Sequence, residues 1–270
     1  GRIWHMINND DPFYVDAGGL TDGCCMRLVP LVAYYAHDLD RLIYNCRQST
    51  IVTHNTPDTI AASLFVAMRL FQVINDEVEN FEFFMKRFEY ALDLAKVDKN
   101  SMFLKVLPTA ILIYEKHKKN PEKMLVELSE KIGLEHWCWC CPLCAVLWSF
   151  EMNGDWFKWF TPIETNDRAK RAIRVGGSII EDNPIDDEID EMYDKYVESY
   201  HHIAGKARID WDTLYSITFS IAAAKNGIKD IPEDRIREKL EYYGDDIENL
   251  VYKLIYNPLV GSSNEQRHLC

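Results

Sequence analysis

Two carboxylates and a hydroxyl fall within four residues at Asp210-Trp211-Asp212-Thr213, directly before Leu214 to Ala224, a run without a charged side chain. Side-chain oxygens ahead of an apolar run can accept from the unpaired N–H groups of a helix's first turn. Gathered at one helix mouth, the same oxygens suit a hard cation such as Mg²⁺, Mn²⁺ or Ca²⁺ rather than zinc. Asp-x-Asp also admits a plainer reading, a capped helix carrying two solvated acids. A second stretch, Gly18-Gly19-Leu20-Thr21-Asp22-Gly23-Cys24-Cys25-Met26-Arg27, is rich in small residues and leads into an apolar segment. Glycine lets a backbone approach a ligand closely, and N–H groups ahead of a helix cradle an anion. A glycine-rich turn before a core helix accounts for the same residues. His54, in Thr53-His54-Asn55-Thr56-Pro57, is placed either to donate to a phosphate or ribose oxygen or to serve as a capping or surface residue. Four thiols crowd into His136-Trp137-Cys138-Trp139-Cys140-Cys141-Pro142-Leu143-Cys144. A structural zinc site takes two separated ligand pairs, so these cysteines are expected to be soft core residues at the start of a helix from Leu143 to Glu151.

The elements that must position these groups are helices. Leu39 to Ser49 reads as helical, and Thr53 to Pro57 interrupts it. Pro57 fits the first turn of a new helix, Asp58 to Phe71, capped by Thr56 or Asn55 and apolar on most sides. Phe81 to Ala95 carries apolar residues at helical spacing, as does Met102 to Lys116 despite Pro108. Asn120-Pro121 opens a helix through Ile132, with Gly133 at its C′ position. Further helices are expected over Ile189 to His202, Leu214 to Lys225, Ile231 to about Tyr243, and Asp245 to Ile255. Asn226-Gly227 stops the second of these. No strand pairs emerge, so the expected class is all-α. Residues 1–17 read as an irregular lead-in foreign to the fold, 18–256 as one helical domain, and 257–270 as a flexible tail. Within the domain, 161–188 is an acidic, polar insertion.

Composition narrows the function. A formal net charge of −13 disfavours a phosphate-backbone binder, which needs a basic face, so nucleic acid is not an expected partner. No uninterrupted apolar stretch looks long enough to cross a bilayer, and no secretory signal precedes the eight cysteines. Free thiols in a cytoplasmic protein are therefore expected. Seven Trp and fourteen Tyr leave room for an aromatic patch near Trp137 that faces a protein partner.

Three separated pieces occur in the order found in one family. Thr21-Asp22-Gly23-Cys24-Cys25-Met26-Arg27 resembles the Gly-Asn-Gly-Ala-Ala-Met-Arg loop of the ADP-ribosylglycohydrolases. Ser49 to Ala62, with Thr53-His54 and Pro57, is similar to that family's Thr-His…Pro segment. Asp210-Trp211-Asp212-Thr213, followed by Gly227 and Ile231-Pro232, resembles its Asp-Thr-Asp-Thr metal motif. The resemblance covers about Gly18 to Leu254 and implies an all-α orthogonal helical bundle. It implies two divalent cations, Mg²⁺ or Mn²⁺, that serve to bind ADP-ribose and cleave its glycosidic link to a protein side chain. By position, Asp210, Asp212 and Thr213 would be metal ligands. Asp22, Gly23, Cys24 and Met26 would line the ADP-ribose cleft, and His54 would contact the ligand.

The departures are equally specific. No counterpart of the family's N-terminal Thr-Asp-Asp-Thr motif or of its catalytic carboxylate is found, so the chain is expected to be N-terminally incomplete and inactive in isolation. The usual Gly-Gly before the metal motif appears as Arg208-Ile209, Trp211 replaces a small Thr, and Asp22 stands where Asn is usual. Arg208 or Lys206 could stand in for a cation beside the two acids. The alternative to a hydrolase is a non-catalytic homologue that binds nucleotide or serves as an interaction protein.

Overall fold

The computed structural model describes residues 21–77, 79–118, 120–132, 137–151 and 211–227. Every element among them is a helix: α1 Val29–Tyr34, α2 Leu39–Ile51, α3 Pro57–Ile74, α4 Phe81–Leu94, α5 Met102–His117, α6 Pro121–Ile132, α7 Trp137–Ser149 and α8 Trp211–Asn226. The expected all-α class is what forms. The chain divides into two compact units, Gly1–Lys225 and Asn226–Cys270. Only Asn226 and Gly227 of the second are described. The expected insertion at 161–188, Arg208 and Lys206, and the expected helices before α8 and after Gly227 lie outside the described residues.

The core is built around α3. Thr56 Oγ1 accepts from the Thr59 N–H at 3.2 Å, and the Thr56 N–H donates to Thr59 Oγ1 at 3.4 Å, a reciprocal capping box. Pro57 follows in the first turn, where its missing N–H costs nothing. Every residue from Thr59 to Val73 is then buried, because α1, α2, α4, α5 and α7 all pack against this helix. Replacing Thr56 with Ala is expected to cost about 1 kcal/mol. The check is a urea melt whose midpoint falls while its slope stays fixed.

Neighbouring helices start by the same chemistry. Asp38, Asn80 and Ser101 accept from the N–H groups of Arg41, Phe83 and Leu104 to open α2, α4 and α5. Asp58, in the first turn of α3, also accepts from the Phe103 N–H at 2.9 Å and so ties the start of α5 to the start of α3. Gly227, at φ +72°, follows α8 in the left-handed conformation that ends helices at little cost to glycine.

Three features depart from the sequence reading. The helix expected from Leu143 begins at Trp137, so Pro142 lies inside α7 and the cysteine cluster forms its first half. Proline in a helix removes one backbone hydrogen bond and clashes with the preceding turn. Burial of Leu143, Cys144, Ala145, Val146 and Leu147, each at 0% exposure, opposes that cost. Cys141 and Cys144 are buried, as expected of soft core residues; the side chains of Trp137 to Cys140 lie outside the description. Next, α3 is long and apolar enough to cross a membrane, yet 83% of that span is buried inside the fold, as in a core helix.

Finally, α3 carries a fully buried arginine. Arg69 Nε donates to Ser149 Oγ at 2.8 Å, Nη1 to Gln72 Oε1 at 3.0 Å, and Nη2 to Glu79 Oε2 at 2.8 Å and the Ser149 carbonyl at 3.2 Å. Its guanidinium lies 3.9 Å from the centre of the Phe150 ring. Burial lowers its pKa, and Glu79 pulls the other way. A buried charge persists only when paired and hydrogen-bonded, and here the donors have partners on α3, the end of α7 and the α3–α4 loop.

Candidate functional site

The segment Thr21 to Leu28 lies against the start of α3. A turn closes it, with the Cys25 N–H donating to the Asp22 carbonyl at 2.8 Å. Cys24 and Cys25, 1% and 2% exposed, point into the fold, where Ser63 of α3 donates to Cys24 Sγ at 3.3 Å and lies 3.8 Å from Cys25 Sγ. Cys24 Sγ also lies 4.0 Å from the Thr59 carbonyl. These are packing contacts between small residues, and they seat the loop on the helix.

The thiols are not equivalent. A hydrogen bond with Cys25 holds Cys24 below the ordinary thiol value against the effect of burial, and Ser63 and Arg27 act in the same direction. Burial pushes Cys25 well above that value. Cys46, buried next to them, is also raised by desolvation. At neutral pH the latter two are uncharged packing residues.

The outward side of the loop is polar. His54 joins it to the α2–α3 connection: Nε2 lies 2.8 Å from Thr21 Oγ1 and Nδ1 lies 2.7 Å from Thr53 Oγ1. A hydroxyl both donates and accepts, so either imidazole tautomer is satisfied. The Thr59 hydroxyl donates to the His54 carbonyl at 2.9 Å, fixing this backbone to the capping box of α3. Arg27 reaches across the same connection, with Nη2 donating to the Ser49 carbonyl at 2.8 Å and to the Thr53 hydroxyl. Thr21, Met26 and Arg27 are exposed, and His54 and Thr53 are half-buried. Gly23 is not in the left-handed region, and a Cβ added to it would meet only Met26 Cε at 3.8 Å, an ordinary contact.

The structure thus brings Asp22, Gly23, Cys24 and Met26 onto one rim with His54. Asp22 is 4% exposed, buried in the turn. Thr213 is 2% exposed and lies, with Asp212, in the first turn of α8. Asp212 is placed there by its backbone, and Asp210 lies outside the described residues. Sequence reasoning missed Thr21, Arg27 and Ser63 as the residues that hold the rim together. Only the proximity of Thr53 to His54 along the chain offered a clue, because the other partners are tens of residues apart. Among the described residues no group of three or more His, Cys, Asp or Glu side chains is spaced to hold a metal.

Residues 4–262 match the family model for ADP-ribosylglycohydrolase. No curated protein and no solved structure matches the chain.

Proposed function

From the membership of this chain in the ADP-ribosylglycohydrolase family, we propose that it binds ADP-ribose, as the free nucleotide or attached to a protein, on the rim formed by the 21–28 loop and His54. The hydrogen bond between Thr21 and His54, 2.8 Å long across 33 residues of chain, carries this reading. It unites two segments that resemble the family's ligand-binding motifs and leaves hydroxyls, an imidazole and a guanidinium at the surface. Such donors suit an anion rich in oxygen. Gly23 supports the reading as well, since its neighbours leave room for a side chain, and glycine there allows close approach of a diphosphate to the backbone.

The residue types at and just before the start of α8 suit a hard divalent cation. Asp210, Asp212 and Thr213 offer only oxygen, the chemistry that Mg²⁺ and Mn²⁺ select. A cation held there would supply Lewis-acid stabilisation of charge on the ribose during cleavage of its glycosidic link. Three side-chain oxygens do not complete two six-coordinate sites, so further ligands must come from the nucleotide, from water or from other parts of the chain. On this reading Asp212 and Thr213, in the first turn of α8, and Asp210 just before them in the chain would supply the oxygen ligands, and the loop and His54 would orient the nucleotide.

Calorimetry of the chain with ADP-ribose, with and without Mg²⁺, tests this. Binding is expected to be strengthened by Mg²⁺, and His54→Ala is expected to weaken it about tenfold, as for loss of one hydrogen bond to a charged group. Absence of binding at any Mg²⁺ concentration refutes the proposal. Release of ADP-ribose from ADP-ribosyl-arginine or ADP-ribosyl-serine would show that the chain completes the hydrolysis; binding without release would mark a non-catalytic homologue.

A further inference from the structure

The start of α8 bears the proposed cation ligands, and the other end of that helix is pinned by charge. Lys225 Nζ lies 3.2 Å from Glu79 Oε1, while the second oxygen of the same carboxylate accepts from the buried Arg69 at 2.8 Å. Glu79 therefore bridges α8 to a guanidinium that is itself locked to the end of α7 and to Gln72. Lys225 also lies on the buried side of α8. Leu214, Ile217, Thr218, Ile221 and Ala222 are buried, and residue 225 continues the three-and-four spacing of that stripe.

The second half of the helix runs Ser220-Ile221-Ala222-Ala223-Ala224. Past Ile221 the buried face narrows to Ala222, with Ala224 partly buried, and the Lys225–Glu79 ion pair adds a directional contact at this end of the helix. We propose that Lys225, acting through Glu79, is a positioning residue that sets the roll and axial register of α8 and hence the placement of Asp212 and Thr213 at its far end, about 18 Å along the helix. The effect on the cation rests on the functional reading given above, whereas the effect on the helix does not.

The test uses the full chain with Lys225→Met, which keeps the apolar stem and leaves the Arg69–Glu79 pair in place, and with Lys225→Arg as the conservative variant. Hydrogen exchange without metal or nucleotide is expected to accelerate in Lys225→Met at the amides of residues 214–218, with α3 unchanged, and to return toward wild type in Lys225→Arg. Acceleration confined to the last turn of α8, or no change, overturns the proposal. In calorimetry with ADP-ribose, the Mg²⁺ concentration giving half-maximal effect is expected to rise about threefold or more in Lys225→Met. At saturating Mg²⁺ the nucleotide affinity is expected to recover to near wild type. A fall in melting temperature with an unchanged Mg²⁺ midpoint would assign Lys225 to stability alone and also overturn the proposal. If the wild-type chain shows no Mg²⁺ dependence, the functional reading fails while the exchange measurement still decides whether Lys225 positions α8.

Discussion

Replacing Phe65 with Ala is expected to destabilise the fold by about 3–5 kcal/mol, the range for deleting a buried aromatic ring. Phe65 is fully buried in the middle of α3. Its ring centre lies 5.1 Å from that of Phe84, 4.9 Å from Phe88 and 5.6 Å from Phe103, all in edge-to-face arrangements. One side chain thus holds α3 against both α4 and α5, and each aromatic pair adds to the burial term. A chain whose total stability is of order 5–15 kcal/mol loses a large part of it. Chemical denaturation read by near-ultraviolet circular dichroism, which reports the aromatic packing, checks this. Phe65→Leu retains most of the volume and is expected to cost less than half as much. Equal losses in the two variants would mean that the ring contacts are not what makes the site costly.

The course of α3 could be anticipated because its determinants are local. Thr56 and Pro57 state the start of the helix within two residues, and the apolar run from Ile60 onward states its burial. The start of α7 could not be read in the same way. Pro142 stands directly before Leu143, where the helix was expected to begin, but proline is tolerated inside a helix when enough apolar surface is buried around it. That compensation comes from α3, α5 and α6, which pack on α7, and no local pattern reveals it. Arg69 is a stronger case. Its partners Glu79 and Ser149 lie 10 and 80 residues along the chain, so only the completed fold shows why an arginine can sit in so apolar a helix.

The site was legible to the same degree. Residue types and order pointed to the 21–28 loop and to His54, and the fold joins them through Thr21. The thiols could be placed in the loop from sequence, but their orientation could not. Cys24 and Cys25 face Ser63 and form the underside of the rim, so any contact of Cys24 with a nucleotide would be made by its backbone. That changes how the assignment should be tested: substitution of Cys24 by Ala probes seating of the loop, whereas the exposed donors probe the ligand.

Asp212→Asn is expected to raise the Mg²⁺ requirement for ADP-ribose binding by about tenfold or more, equivalent to roughly 1.4 kcal/mol or more of lost metal affinity. The physical reason is charge. An amide oxygen can still coordinate Mg²⁺ but brings no negative charge, and the affinity of such sites depends on ligand charge as well as geometry. The effect on folding is expected to be much smaller. An acid in the first turn of a helix gains about 0.3–1 kcal/mol from the helix dipole, and this bounds what Asn at that position of α8 should lose unless Asp212 has further partners. The separation between the two magnitudes makes the variant informative. Thr213→Val complements it, since Thr213 is buried and valine preserves its shape while removing the hydroxyl. Calorimetric Mg²⁺ titration in the presence of ADP-ribose, set beside a thermal melt of each variant, distinguishes a metal ligand from a structural residue. Midpoints that match wild type in both variants would remove the cation from the first turn of α8, leaving the loop and His54 as a nucleotide rim that works without it.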